Sequence, residues 1–341
     1  MEFGFSDEQQ EIQRTAREFL ADRFKPEKVR ELAESDNPYD EAIWKEMCEL
    51  GWPGIAITEE YGGQGLGVVE LAILLEQSGY TLAPSPLISN AFAGAVIAEA
   101  GSDEQKQRWL PGIASGEERG AAEFTNEPGP LVGAAADSAV LVLADGDGAK
   151  LVETGAASLE RLDLIDSTRA YFVVTADGGE PLPGDIAPAV DAGMVALSAE
   201  LVGVAQRALD IANDYAKERE QFGRPIGSYQ AVSHRLADML WAVEEARSLT
   251  YYAAWCAEAE PESLPLAASM AKARASDAAC QVTHDAIQTL GGIGFTWEHD
   301  IHFFLKRARV SAQLMGAPAQ HRERVAELAG LGSAAPEPAP A

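Results

Sequence analysis

The stretch Tyr215-Ala216-Lys217-Glu218-Arg219-Glu220-Gln221-Phe222-Gly223-Arg224-Pro225-Ile226 runs on through Gln230 to His234-Arg235-Leu236-Ala237-Asp238-Met239. It reads as the end of one helix, a break at Phe222-Gly223, and a second helix. Arginines beside a Phe-Gly turn bring cations, backbone donors and an aromatic edge close together, and those parts suit a pyrophosphate. An ordinary helix-loop-helix with surface arginines would use the same residues, and spacing alone does not separate the two. Downstream, Val232, Leu236, Met239, Val243, Ala246 and Leu249 recur three or four apart in the segment 231–259, which gives one apolar stripe. Pro261 and Pro265 then mark a helix–helix connection, and residues 268–290 form an Ala-rich helix that stops at Gly291-Gly292.

Its ending, Gln288-Thr289-Leu290-Gly291-Gly292-Ile293-Gly294-Phe295, is the second informative segment. Glycines after a helix usually cap it, but three within four residues also let a ligand approach the backbone closely. Beside it, Trp297-Glu298-His299-Asp300 suggests a base or a metal ligand. His299 and His302 lack a third clear ligand, so a structural role is expected and no metal site is assigned.

Upstream the pattern changes twice. Residues from about 118 to 185 carry the strand-like runs 139–143 and 170–174, bounded by Asp145-Gly146-Asp147-Gly148 and Asp177-Gly178-Gly179. Residues 1 to about 115 read as helices, opened by a Ser6…Gln9 capping box with Ile12, Ala16, Phe19 and Leu20 behind it. Trp44 to Leu50 and Val68 to Ser78 are further helices, the latter entered from the Gly62–Gly65 loop. The expected domains are 1–117 (helical), 118–187 (β), 188–329 (four-helix bundle) and a disordered tail at 330–341.

Composition narrows function. The 341 residues hold 26 Lys+Arg against 54 Asp+Glu, a net charge of −28, which argues against a nucleic-acid groove. Residues 1–200 carry 13 basic and 37 acidic residues (13 − 37 = −24), against 13 and 17 in residues 201–341 (13 − 17 = −4), so an anionic ligand should prefer the C-terminal part. Cys48, Cys256 and Cys280 are too scattered for a metal knuckle or a disulfide framework. Without a secretory signal or a run near the ~20 apolar residues of a membrane span, a cytoplasmic protein with no membrane contact is expected.

In order and wording these segments resemble the acyl-CoA dehydrogenase family over nearly the whole chain. Ser6-Asp7-Glu8-Gln9, Pro53-Gly54, Glu60-Tyr61-Gly62-Gly63-Gln64-Gly65 and Leu110-Pro111 belong to the resemblance. Its specific part is Arg219…Phe222-Gly223…Gln230 with Gln288…Gly291-Gly292-x-Gly294. The resemblance implies a mainly α fold with a central β domain, FAD as cofactor, and an acyl-CoA thioester as substrate for α,β-dehydrogenation. It implies that Arg219, Gln221, Phe222, Tyr229 and Gln230 meet FAD across a subunit interface, with Gln288, Gly291 and Gly292 on its adenosine and pyrophosphate portion. An electron-transfer flavoprotein is the acceptor it implies.

The sequence departs from the family twice. The positions where relatives carry the catalytic glutamate match Met315 and Gly193, and neither can accept a proton. Glu200, two turns from Gly193 along the same helix face, is either a relocated base or a structural carboxylate. In the β region, Thr125-Asn126-Glu127-Pro128-Gly129-Pro130 is followed almost at once by Asp137-Ser138, so a hairpin that relatives set against the flavin ring is missing, while Asp166-Ser167-Thr168-Arg169 is kept. Both losses resemble the short subunit of α2β2 bacterial members, whose partner supplies the base and the ring contacts. The alternatives are a self-sufficient homo-oligomer using Glu200, and a non-catalytic structural subunit.

Overall fold

The computed structural model describes residues 4–123, 131–145 and 148–331. The loop 125–130 and the end of the expected tail, 332–341, lie outside them.

The N-terminal part is helical, and its chain ends follow capping chemistry. Helix α1 (Asp7–Arg23) opens on Ser6, whose hydroxyl accepts from Gln9 N while Gln9 Oε1 accepts from Ser6 N. Pro26 starts α2 (Pro26–Ala33), a helix the sequence reading did not separate, and Asp40 caps α3 (Glu41–Glu49). Helices α4 (Val68–Tyr80), α5 (Leu87–Ala100) and α6 (Asp103–Ser115) follow. Most of α4 and α5 is buried, including Leu71–Leu75 and Phe92–Ala93.

Two small sheets make the middle region. The first has the order β1-β3-β4-β7, from Gly120–Ala122, Val140–Asp145, Gly148–Glu153 and Glu180–Pro181. The second has the order β2-β6-β5, from Leu131–Gly133, Tyr171–Thr175 and Ser158–Leu162. The two expected strand runs fall on β3 and β6. Strands β4 and β5 lacked a clean apolar alternation and were not foreseen.

The C-terminal part is built on three long helices, α7 (Ala187–Glu218), α8 (Gln230–Ala259) and α9 (Leu264–Leu290). The short α10 (Ile301–Ser311) and α11 (Pro318–Leu328) pack on α9. By length and composition α7 is long and apolar enough to cross a membrane, where no run near that length was expected. Its apolar window is 78% buried inside the protein, as befits a core helix.

Helix α4 lies against α7 at near-backbone contact. A Cβ on Gly79 would fall on the Glu200 carbonyl, and one on Gly203 on the Glu76 carbonyl, so both positions need glycine. That crossing fixes Glu200 against the N-terminal helices.

Candidate active site and cofactor surface

Two regions matter, and the three long helices place them apart. Short connections make α7, α8 and α9 run up, down and up. The α7–α8 turn and the end of α9 therefore share one end of the bundle.

At that end, β8 (Glu220–Gln221) and β9 (Arg224–Pro225) pair as a minimal hairpin. Its turn is Phe222-Gly223, both with left-handed φ, +53° and +80°. A phenylalanine in this conformation is uncommon, and its ring is 93% exposed. The Tyr229 hydroxyl donates to Gln221 O at 3.1 Å, and the Arg224 guanidinium lies 4.0 Å from the centre of the Tyr229 ring. Arg219 closes α7, and neither it nor Arg224 has an ion-pair partner among the described residues. Gln230 is exposed at the first turn of α8, and Gln288, Gly291 and Gly292 are exposed at the end of α9. A Cβ on Gly292 would touch nothing within 4 Å, and its φ is not left-handed, so this chain's own fold does not demand glycine there. An approaching ligand would. These donors, cations and bare backbone fit a dinucleotide's phosphates and ribose.

The second region is the interior, where the expected base positions meet. A Cβ on Gly193 of α7 would lie 2.6 Å from Phe92 Cδ2 and 3.1 Å from Met315 Cε. The two places where a carboxylate is expected thus face each other across Phe92, and apolar side chains fill the space. The turn bearing Met315, itself at φ +58°, is held from two sides. Lys272, fully buried in α9, donates to Ser276 Oγ at 3.0 Å, Ala312 O at 3.1 Å and Gly316 O at 3.2 Å. Burial pushes its ammonium down to about 7. His321 Nε2 sits 2.9 Å from Met315 O, and burial, with Lys272 nearby, pushes its imidazole down to about 4.

Glu200, weighed as a relocated base or a structural carboxylate, is engaged by arginines through Oε1, while its buried Oε2 has no hydrogen-bond partner among the described residues. It has no solvent exposure, and its Oε1 accepts from Arg307 Nη1 at 2.7 Å and from Arg169. Arg307, also fully buried, donates through Nε to Asp166 Oδ2 at 2.8 Å and contacts Thr168. Asp166 in turn accepts from Thr168 N at 3.0 Å. Burial works against the Arg169 cation, but Glu200, Tyr171 and Asp166 outweigh it and raise its pKa above the ordinary value. This network ties α7 and α10 to the β region. The Lys306-Arg307-Ala308-Arg309 run is therefore split: Arg307 is fully buried, and Lys306 lies 4.3 Å from the centre of the Trp297 ring. His299 and His302 also serve structure. His299 Nδ1 accepts from Ile301 N at 3.0 Å, and His302 packs at 4.6 Å against Trp297.

Comparison with known proteins bears on both regions. Residues 6–117 match the family profile described as acyl-CoA dehydrogenase, N-terminal domain, and residues 189–329 the profile described as acyl-CoA dehydrogenase, C-terminal domain. The chain belongs to the acyl-CoA dehydrogenase family. The family's cofactor is FAD and its chemistry is oxidoreduction at a CH–CH bond. Among relatives, acyl-CoA dehydrogenase IpdE2 of Mycolicibacterium smegmatis is 35% identical, over 94% of this chain and 98% of the relative. The protein of that name in Mycobacterium tuberculosis is 36% identical over 94% and 96%. A solved structure titled Tcur3481-Tcur3483 steroid ACAD G363A variant superposes with a TM-score of 0.87 at 30% identity, over 96% of this chain and 99% of that one. The ChsE4-ChsE5 complex from M. tuberculosis has the same fold, with a TM-score of 0.88 at 23% identity over 98% and 100%.

Proposed function

We propose that this chain is one subunit of a heteromeric, FAD-dependent acyl-CoA dehydrogenase that introduces an α,β double bond into an acyl-CoA thioester. A partner subunit supplies the catalytic base and the contacts to the flavin ring. The observation that carries this reading is the meeting of Gly193, Phe92 and Met315: both family base positions are present, face each other, and hold no carboxylate. Two arginines without an ion pair among the described residues, and open glycine backbone at the far end of the bundle, support a retained cofactor-binding role. The two-component title of the 30%-identical solved structure agrees with a paired assembly.

When bound, FAD supplies the acceptor for the β-hydrogen. This chain's part is to hold that cofactor: Arg219 offers the charge-assisted contact to phosphate, Phe222 an apolar face, and Gly291-Gly292 a backbone that a ribose or phosphate can approach. Gln221, Tyr229, Gln230 and Gln288 complete the proposed surface. The α-proton needs a carboxylate in a dry pocket with reach to the thioester, and the partner brings it. An electron-transfer flavoprotein is the proposed acceptor.

Glu200→Gln, in the assembled enzyme, tests the reading. Removing a true general base costs about 10²–10⁴-fold in rate. The proposal expects flavin reduction by acyl-CoA to stay within about twofold of the parent rate, well below that cost. Loss on the larger scale in a variant with an unshifted circular dichroism spectrum would return the base to Glu200.

A further inference from the structure

A cleft unrelated to either region lies between the α1–α2 connection, the end of α4, the middle of α7 and the start of α10. Its cavity volume is about 350 Å³ and it is open to solvent, at the small end of the range of small-molecule sites. Its walls are apolar: Phe24, Val29, Leu82, Ile211, Phe303 and Phe304.

Leu82 is held there against local preference. It follows the end of α4 with φ +53°, where glycine is the usual residue, yet its side chain is 98% buried. The position is used for wall area instead of for backbone ease.

Arg207 is the cation on this wall that no carboxylate contacts directly among the described residues. Arg207 donates to the Tyr80 hydroxyl at 3.3 Å and lies 5.3 Å from its ring, and it forms no ion pair among the described residues. Asp210 accepts from Tyr80 Oη at 2.8 Å and from Gln206 Nε2 at 2.8 Å, so it reaches Arg207 only through the Tyr80 hydroxyl. Asp300, at the opposite side, is neutralised by Arg30. Burial lowers the His299 pKa, so its ring is neutral at pH 7. Lys25 stands at the mouth, 3.4 Å from Asp22. In a chain of net charge −28, a half-buried guanidinium that no carboxylate contacts directly among the described residues can still take an anion.

We propose that this cleft binds an amphipathic carboxylate, its apolar body against Phe24, Phe303 and Phe304 and its anion on Arg207. A phosphorylated ligand fits less well, because one guanidinium and one mouth lysine face a mainly apolar wall. The site is independent of the flavin surface and of the missing base.

Decanoate, with decanol as the neutral comparator, is titrated calorimetrically into the full chain alone and in its assembled complex. The proposal expects saturable one-to-one binding of decanoate, about tenfold or more tighter than decanol, as for a charge-assisted contact. Arg207→Met should erase that preference while leaving decanol binding unchanged, and Arg207→Lys should restore part of it. Lys25→Gln, on an exposed side chain, gives a second reading that folding defects do not confuse: a smaller loss is expected. Equal affinity for acid and alcohol, or an unchanged Arg207→Met, would overturn the proposal. So would displacement of decanoate by coenzyme A, or loss of binding once the partner is in place.

Discussion

The interior around Glu200 and the end of the bundle around Arg219 are chemical opposites. In the interior opposite charges meet: Arg307 and Arg169 face Glu200 and Asp166, and Phe92 and Met315 close the space beside Gly193. At the bundle end Arg219 and Arg224 have no ion pair among the described residues, Phe222 is exposed in a left-handed conformation, and Gly292 opens on empty space. Saturated chemistry belongs to stability, and unsatisfied chemistry belongs to binding. The same helix, α7, carries Gly193 and Glu200 into the core and ends at Arg219 on the surface.

The contrast can be broken experimentally, most severely at Arg307. Arg307→Met strips the buried pair of Glu200 and Asp166, and breaking such a pair costs about 3–5 kcal/mol. Urea unfolding should show that loss; a change below 1 kcal/mol on the order-of-magnitude scale of surface pairs would mean the network is not closed. Gly193→Ala comes next, since the added methyl meets Phe92 at 2.6 Å and Met315 at 3.1 Å. Overpacking of this kind costs about 1–3 kcal/mol, and the same unfolding experiment reads it.

How much of this could be read in the sequence depended on the range of the interactions. The α7–α8 turn was legible because helix end, Phe-Gly and helix start are consecutive, and the α9 terminus because its glycines are. The ion network was not. Arg307 meets residues 141 and 107 positions away, Asp166 and Glu200, and within its own Lys-Arg-Ala-Arg run it looks like surface charge. Asp166-Ser167-Thr168-Arg169 was recognised as a segment, but nothing local shows that its acid and its arginine close on α7 and α10. The α4–α7 crossing was likewise hidden, since the need for Gly79 and Gly203 arises only when the backbones touch. Read alone, Glu200 could be a base or a strut. Its two arginine partners, both on Oε1, come from segments far away in the chain.

The bundle end should answer to the opposite measurements. Arg219→Gln should leave unfolding within about 0.5 kcal/mol, as for an exposed side chain. It should weaken FAD retention in the assembled enzyme about tenfold or more, the worth of one hydrogen bond to a charged group. Undiminished flavin content would remove Arg219 from the cofactor surface.

The mildest test is pH. In the folded chain His321 is pushed down to about 4 from its ordinary 6.5, so between those values the unfolded chain binds more protons. Stability should therefore fall as pH drops from 6.5 towards 4. His321→Gln should flatten that part of the profile, and an unchanged slope would show that the Met315 turn is not held as described.

The central claim is that this chain carries a cofactor surface without a complete active site of its own. The most direct measurement is the flavin absorbance of the chain expressed alone and expressed with a partner acyl-CoA dehydrogenase subunit, followed by addition of acyl-CoA. The account predicts little or no flavin-based bleaching from the chain alone, and yellow protein that bleaches with acyl-CoA only when paired. A chain that purifies yellow by itself and bleaches with acyl-CoA would contradict it.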